Sequence, residues 1–158
     1  MDTAEGLPYI DSPCIELAAT PAGCWDALMT VVGGQTVGTP VRVLAAVLGC
    51  ADRQSRGRRE VPGSALVGFH VVRSEPPRRW GLEGRHRFSQ YALEFRVEEA
   101  GPSRARLCAE TRAAFPGWTG ALYRALVIGS GGHRVSVRRM LQSVKRRAEA
   151  DARGRVGP

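Results

Sequence analysis

At 158 residues, with 43% hydrophobic and 24% charged content, the chain has the composition of one soluble globular domain with a single sizeable core. The formal net charge is +8, yet Lys145 is the only lysine, and the arginines cluster in expected loops, turns and outer helix faces. We read them as a solvated surface, with no nucleic acid expected as a partner. No run approaches the roughly 20 apolar residues that a membrane-spanning helix needs.

The chain opens Met1-Asp2-Thr3-Ala4-Glu5, acidic and without an apolar leader core, so a cytoplasmic protein is expected. Residues 1–13 read as an irregular lead-in, and 14–20 as a short strand. Thr20-Pro21 is a helix start, a capping hydroxyl followed by proline in the first turn. The helix should cover 22–32, with Trp25, Leu28, Met29 and Val32 on one face and Gly33-Gly34 as its stop. Thr39-Pro40 repeats the start signal for a second helix over 41–50. The Arg-rich stretch 51–63 is a connection.

From Ser64 the hydrophobic period changes to two. Strands are expected over 65–73, 79–82, 84–99 and 104–115, joined by turns at Glu75-Pro76-Pro77 and Ala100-Gly101-Pro102-Ser103. Strands joined by such short turns pair antiparallel. A last helix follows Pro116-Gly117 over 118–150, with a polar tail over 151–158. Its inner stripe would run Leu122, Leu126, Gly129, His133, Val137, Leu141, Val144 and Ala148, bulky at both ends and empty around Gly129-Ser130-Gly131-Gly132. A helix lying on a sheet without bulk at its centre leaves a gap.

The fold class is therefore α+β, with one long helix covering an antiparallel sheet. This order resembles the helix-grip fold of the START and Bet v1 superfamily over roughly residues 15–150. The resemblance is carried by Pro21-Ala-Gly-Cys-Trp-Asp-Ala-Leu28, Leu66-Val-Gly-Phe69, Gly84-Arg-His-Arg-Phe-Ser-Gln-Tyr-Ala-Leu-Glu-Phe95, Ala109-Glu-Thr-Arg112, Gly120-Ala-Leu-Tyr123 and the helix from His133 to Leu141. It is nearest to a bacterial family in which none of these motifs has a known reaction. The resemblance implies a β-α-α-β(n)-α order, a curved sheet of about six or seven strands on a long closing helix, and one domain over 1–150. It also implies a cavity for lipids, sterols or polyketides, used for binding or for cyclase, dehydratase or hydrolase chemistry.

Within such a cavity, the strand over 84–97 would turn Tyr91, Leu93, Phe95 and Val97 inward, with Arg87 and Arg85 at the rim. The last strand would present Leu107, Ala109, Thr111 and Ala113 to the helix. Glu110 then pairs with charges on the outer face or, if turned inward, serves as an acid or base. His133 could meet a ligand or move a proton, or simply bond a backbone carbonyl freed by the helix distortion. Arg87, Tyr91, Thr111, Tyr123, Gly129, His133 and Val137 are the candidate ligand contacts; His133 and Glu110 are the alternative acid–base pair. The four cysteines lack a CxxC pair and are read as reduced thiols, several of them buried. No phosphate-binding loop, nucleophile elbow or metal-ligand spacing is present, so neither cofactor nor metal is expected. The expected partner is a small apolar or amphipathic molecule, and a homodimer is compatible with the sequence. A cofactor-free cyclase or dehydratase using the same cavity is the alternative function.

Overall fold

Two short strands open the chain in the computed structural model, which describes residues 6–35, 50, 57–58 and 60–156. These are β1, Tyr9–Asp11, and β2, Cys14–Leu17. Both add antiparallel to the outer edge of the last strand, β7, Arg104–Ala114. The expected lead-in thus contains a strand. Its alternation is too short to register in sequence, and it forms because β7 has an edge to fill: Pro8 and Pro13 carbonyls accept from the Ala113 and Ala109 amides.

The first helix, α1, spans Pro21–Gln35. Thr20 starts it as expected, its hydroxyl accepting from the Gly23 amide at 3.2 Å. The helix continues through Gly33-Gly34, so those glycines do not stop it. Trp25, Leu28, Met29 and Val32 are all buried. The second expected helix lies outside the described residues apart from buried Cys50.

The meander consists of β3 Ala65–Leu66, β4 Phe69–Glu75, β5 Arg79–His86 and β6 Ser89–Gly101, followed by β7. The sheet has seven strands in the order β1-β7-β6-β5-β4-β3, with β2 also on β7, and every pairing is antiparallel. Two expected strands are in fact hairpins. Residues 65–73 fold back at Val67-Gly68, where Gly68 takes a positive φ of 84°. Residues 84–99 fold back at Arg87-Phe88, with His86 opposite Ser89. The second turn contains no glycine, proline or asparagine, which is why the sequence does not announce it.

The closing segment is broken in three. Helix α2, Gly117–Arg124, runs into a wide π-helical turn, Ala125–Gly129; Gly131 at φ 76° then breaks the helical run before α3, Gly132–Val156. The polar residues after Ala150 form the end of α3, where Ala152 packs against the core and Arg147 pairs with Asp151 at 2.8 Å. Along α3 the expected stripe is met: Val137, Leu141, Val144 and Ala148 are buried. Each large member contributes roughly 1.5–3 kcal/mol by leaving water. Along α2 and the π-helical turn it is not. Leu122 and Leu126 are 66% and 69% exposed, because these elements are separate from α3 and turn Gly120, Tyr123 and Val127 inward instead.

The main core joins α1 and α3 to one half of the sheet through Leu17, Leu28, Trp80, Phe95, Leu107 and Leu141. Lys145 and Glu149 tie α3 to β2, through the Glu16 carbonyl and the Ala18 amide. The outer helix arginines 138, 139, 146 and 147 are exposed, as expected. Among the described residues, no helix is long and apolar enough to cross a membrane.

The cysteine expectation is corrected in part. Cys14 and Cys108, directly opposed across β2 and β7, form a disulfide. Their spacing of 94 residues hides the pairing, which only the strand register creates. Cys24 and Cys50 are buried thiols outside any disulfide, and burial pushes the Cys24 thiol up to about 12.

Candidate functional site

A cavity of about 460 Å³ opens where the main core ends, between the inner face of β5–β7 and the α2–α3 junction. Strand register stacks its floor in levels. Leu82, Leu93 and Thr111 lie side by side, then Gly84, Tyr91 and Ala113, then His86 and Ser89. These positions alternate with outward residues along each strand, as pleating demands. The roof is Tyr123, Val127, Ile128, His133, Ser136, Val137 and Met140.

Two glycines shape the walls. A Cβ on Gly84 would collide with the Gly68 carbonyl and the Tyr91 ring, so only glycine lets Tyr91 lie flat and donate its hydroxyl to that carbonyl. A Cβ on Gly120 would come within 2.7 Å of the Phe115 backbone and 3.1 Å of the Phe88 carbonyl. Gly120 therefore seats α2 directly on the β5–β6 turn, and this brings Tyr123 over the cavity.

Polar groups gather at two ends. At one, His133 Nε2 lies 3.2 Å from Thr111 Oγ1 and 3.4 Å from Asp11 Oδ1. Both Asp11 and His133 are largely buried, with side chains 13% and 19% exposed. Asp11 Oδ1 is buried and has no hydrogen-bond partner among the described residues, so the ring lies beside it without a hydrogen bond, and Thr111 is the hydroxyl that His133 Nε2 meets. Asp11 also lies 3.8 Å from Arg134 Nε at the start of α3, where a helix N-terminus favours negative charge.

At the other end stands His86, 9% exposed. Its Nδ1 accepts from the Phe88 amide at 3.2 Å, which places the proton on Nε2. The ring packs edge-on against Tyr123 at 4.9 Å and tilted against Tyr91 at 5.5 Å. Burial lowers the His86 pKa and raises that of Tyr123, so both stay neutral donors near pH 7.

Of the residues singled out in the sequence, Tyr91, Thr111, Tyr123, His133 and Val137 all line this cavity. Three do not. Arg87 is exposed on the β5–β6 turn, its guanidinium 5.2 Å from the Phe88 ring, because the hairpin ends the alternation that would have turned it inward. Gly129 is exposed, and a Cβ there would meet nothing within 4 Å, so the gap is made by the chain break at Gly131 and not by a missing side chain at Gly129. Glu110 lies on the outer face, 2.8 Å from Arg96 and 2.7 Å from Arg112. That is the charge-pair reading; the inward acid–base reading does not hold. Sequence reasoning misses Asp11 and His86. Asp11 sits in a three-residue strand with no pattern, and alternation carried through an unseen turn puts His86 on the outer face.

No protein-family model matches the chain, and no curated protein does either. Solved structures share its fold. Zhui aromatase/cyclase from Streptomyces sp. R1128 superposes with a TM-score of 0.60 at 15% identity, covering 94% of this chain and 98% of that one. A protein from Thermobifida fusca gives 0.52 at 15% identity over 85% and 92%. A conserved protein from Geobacillus kaustophilus gives 0.50 at 17% identity over 87% and 93%. At these identities the likeness is one of fold.

Proposed function

We propose that this chain belongs to the START and Bet v1 superfamily and binds a small apolar or amphipathic molecule between its sheet and the α2–α3 junction. The observation that carries this reading is the cavity: about 460 Å³, apolar along its walls and polar only at its ends. Such a site takes affinity from apolar contact and orientation from a few fixed polar groups. Native mass spectrometry of the purified protein tests it by seeking a copurifying molecule. A second arm measures binding of the apolar fluorophore 1-anilinonaphthalene-8-sulfonate to wild type and to Ser136→Trp. Ser136 lines the cavity yet is exposed, so the indole can enter without unfolding the core. Equal fluorophore binding by both proteins, with no copurifying molecule, would remove the proposal.

A second reading is favoured by the Asp11–His133 contact. A histidine beside a buried carboxylate and a hydroxyl can take a proton from a bound carbon acid or hydroxyl, with the carboxylate stabilising the charged ring that results. That suits a cofactor-free cyclase or dehydratase, and cyclase is the activity named for the Streptomyces aromatase/cyclase. Turnover of a reactive poly-β-keto thioester, compared between wild type and His133→Gln, tests this reading. Identical product distributions would exclude it.

A further inference from the structure

The two polar ends of the cavity differ in kind, and that difference specifies a ligand. His86 is nine-tenths buried, with Nδ1 occupied by the Phe88 amide, so it offers one N–H and no lone pair. Ser89, opposite it, is 3% exposed and adds a hydroxyl at the same level. The His133 end offers the reverse. Asp11 Oδ1 is buried with no hydrogen-bond partner among the described residues, 3.4 Å from His133 Nε2, so this end holds an acceptor still to be satisfied. Thr111 and His86 lie two levels apart on the sheet, roughly 13 Å along the strands. Between them the floor is Leu93, the Tyr91 ring and Ala113.

We propose that the cavity selects an elongated hydroxy-ketone: a flat apolar body with a carbonyl oxygen received by His86 Nε2–H and a hydroxyl at the far end meeting the Asp11–His133 pair. This rests on the binding reading above and goes beyond it by assigning His86 as the carbonyl-selecting group. A ligand without the carbonyl leaves the buried His86 donor unpaired, which is costly.

The test is equilibrium binding of 6-acetyl-2-naphthol, followed by its own fluorescence. It is compared with 6-ethyl-2-naphthol, which lacks the carbonyl, and 2-acetylnaphthalene, which lacks the hydroxyl. Wild type should bind the hydroxy-ketone about five- to tenfold more tightly than either analogue, the range one neutral hydrogen bond supplies. His86→Phe keeps the aromatic packing on Tyr123 and should lose only the preference for 6-acetyl-2-naphthol over 6-ethyl-2-naphthol. His86→Gln retains a donor and should keep part of it. Equal wild-type affinities for all three naphthalenes would overturn the assignment while leaving the binding reading intact, even if a variant fails to fold. A preference that survives in folded His86→Phe overturns it equally. No binding of any naphthalene would sink the binding reading itself, and the assignment with it.

Discussion

His133, in the first turn of α3, places its Nε2 3.4 Å from the Asp11 carboxylate on the edge strand β1, with Thr111 at 3.2 Å on the neighbouring strand β7. Three elements distant in sequence thus meet at one ring. The contact is off the surface, so removing one partner costs more than for an exposed pair. Asp11→Asn keeps the shape, removes the charge and should destabilise the fold by about 1–2 kcal/mol. Asp11→Ala should cost more, and most of that cost should vanish when it is introduced on top of His133→Phe. Urea unfolding of the two single variants and the double variant measures this coupling; additive effects would show that the contact contributes nothing.

The buried His86 makes stability depend on pH. Its folded pKa lies below the ordinary value of 6.5, because burial disfavours the charged ring. Below pH 6.5 the unfolded chain therefore binds more protons than the folded one, and stability falls with decreasing pH until the folded pKa is passed. Thermal unfolding from about pH 7.5 down to about pH 5 should show this loss, and His86→Phe should make the curve shallower. An unchanged slope in the variant would refute the assignment.

The Cys14–Cys108 disulfide closes a long stretch of chain, spanning 94 residues of sequence. Its removal should lower stability by about 2–4 kcal/mol, mainly by freeing the unfolded chain. Denaturation of Cys14→Ser, and of wild type with and without reductant, measures it. Such a pair persists in oxidising surroundings and is opened in a reducing cytosol. Thiol labelling of protein taken directly from its native cells should thus report its compartment.

Gly120→Ala should separate α2 from the β5–β6 turn, since the new methyl group meets Phe115 backbone atoms that cannot yield. We expect a loss of about 1–3 kcal/mol and a faster-exchanging α2 by hydrogen–deuterium exchange, with the amides of β7 still protected. By contrast, Leu122→Ser and Leu126→Ser should change stability by less than about 0.5 kcal/mol, both being exposed.

Glu110→Gln removes the charge that faces Arg96 and Arg112 on the outer sheet face. It should cost about 1 kcal/mol and leave naphthol binding unaltered. A change in binding affinity would return Glu110 to the cavity.

Much of the architecture is legible because it rests on periodicity. The alternation in β7 separates Leu107, Ala109, Thr111 and Ala113 from Arg106, Cys108, Glu110 and Arg112, and the fold respects it residue by residue. The same holds for Val137, Leu141, Val144 and Ala148 on α3. Periodicity fails wherever the chain changes direction without a turn residue. The Arg87-Phe88 turn is held by tertiary contacts: the Phe88 amide on His86, and the Phe88 ring stacked 5.6 Å from Tyr123. The break at Gly131 moves Leu122 and Leu126 outward for a similar reason, as α2 is positioned by Gly120 against the hairpin and not by continuing α3.

By itself, then, the sequence determined the fold class, the inward faces of β6, β7 and α3, and the presence of His133, Thr111, Tyr91 and Tyr123 around a gap. Local patterning suffices there, because a side chain's face follows from its position in a repeating backbone. Only the tertiary structure decided which polar groups serve the cavity. It brought Asp11 to His133, turned His86 inward, placed Arg87 and Glu110 outside and joined Cys14 to Cys108. Each of those depends on register between segments far apart in the chain, and register is set by whole faces packing together, a quantity that no single segment carries.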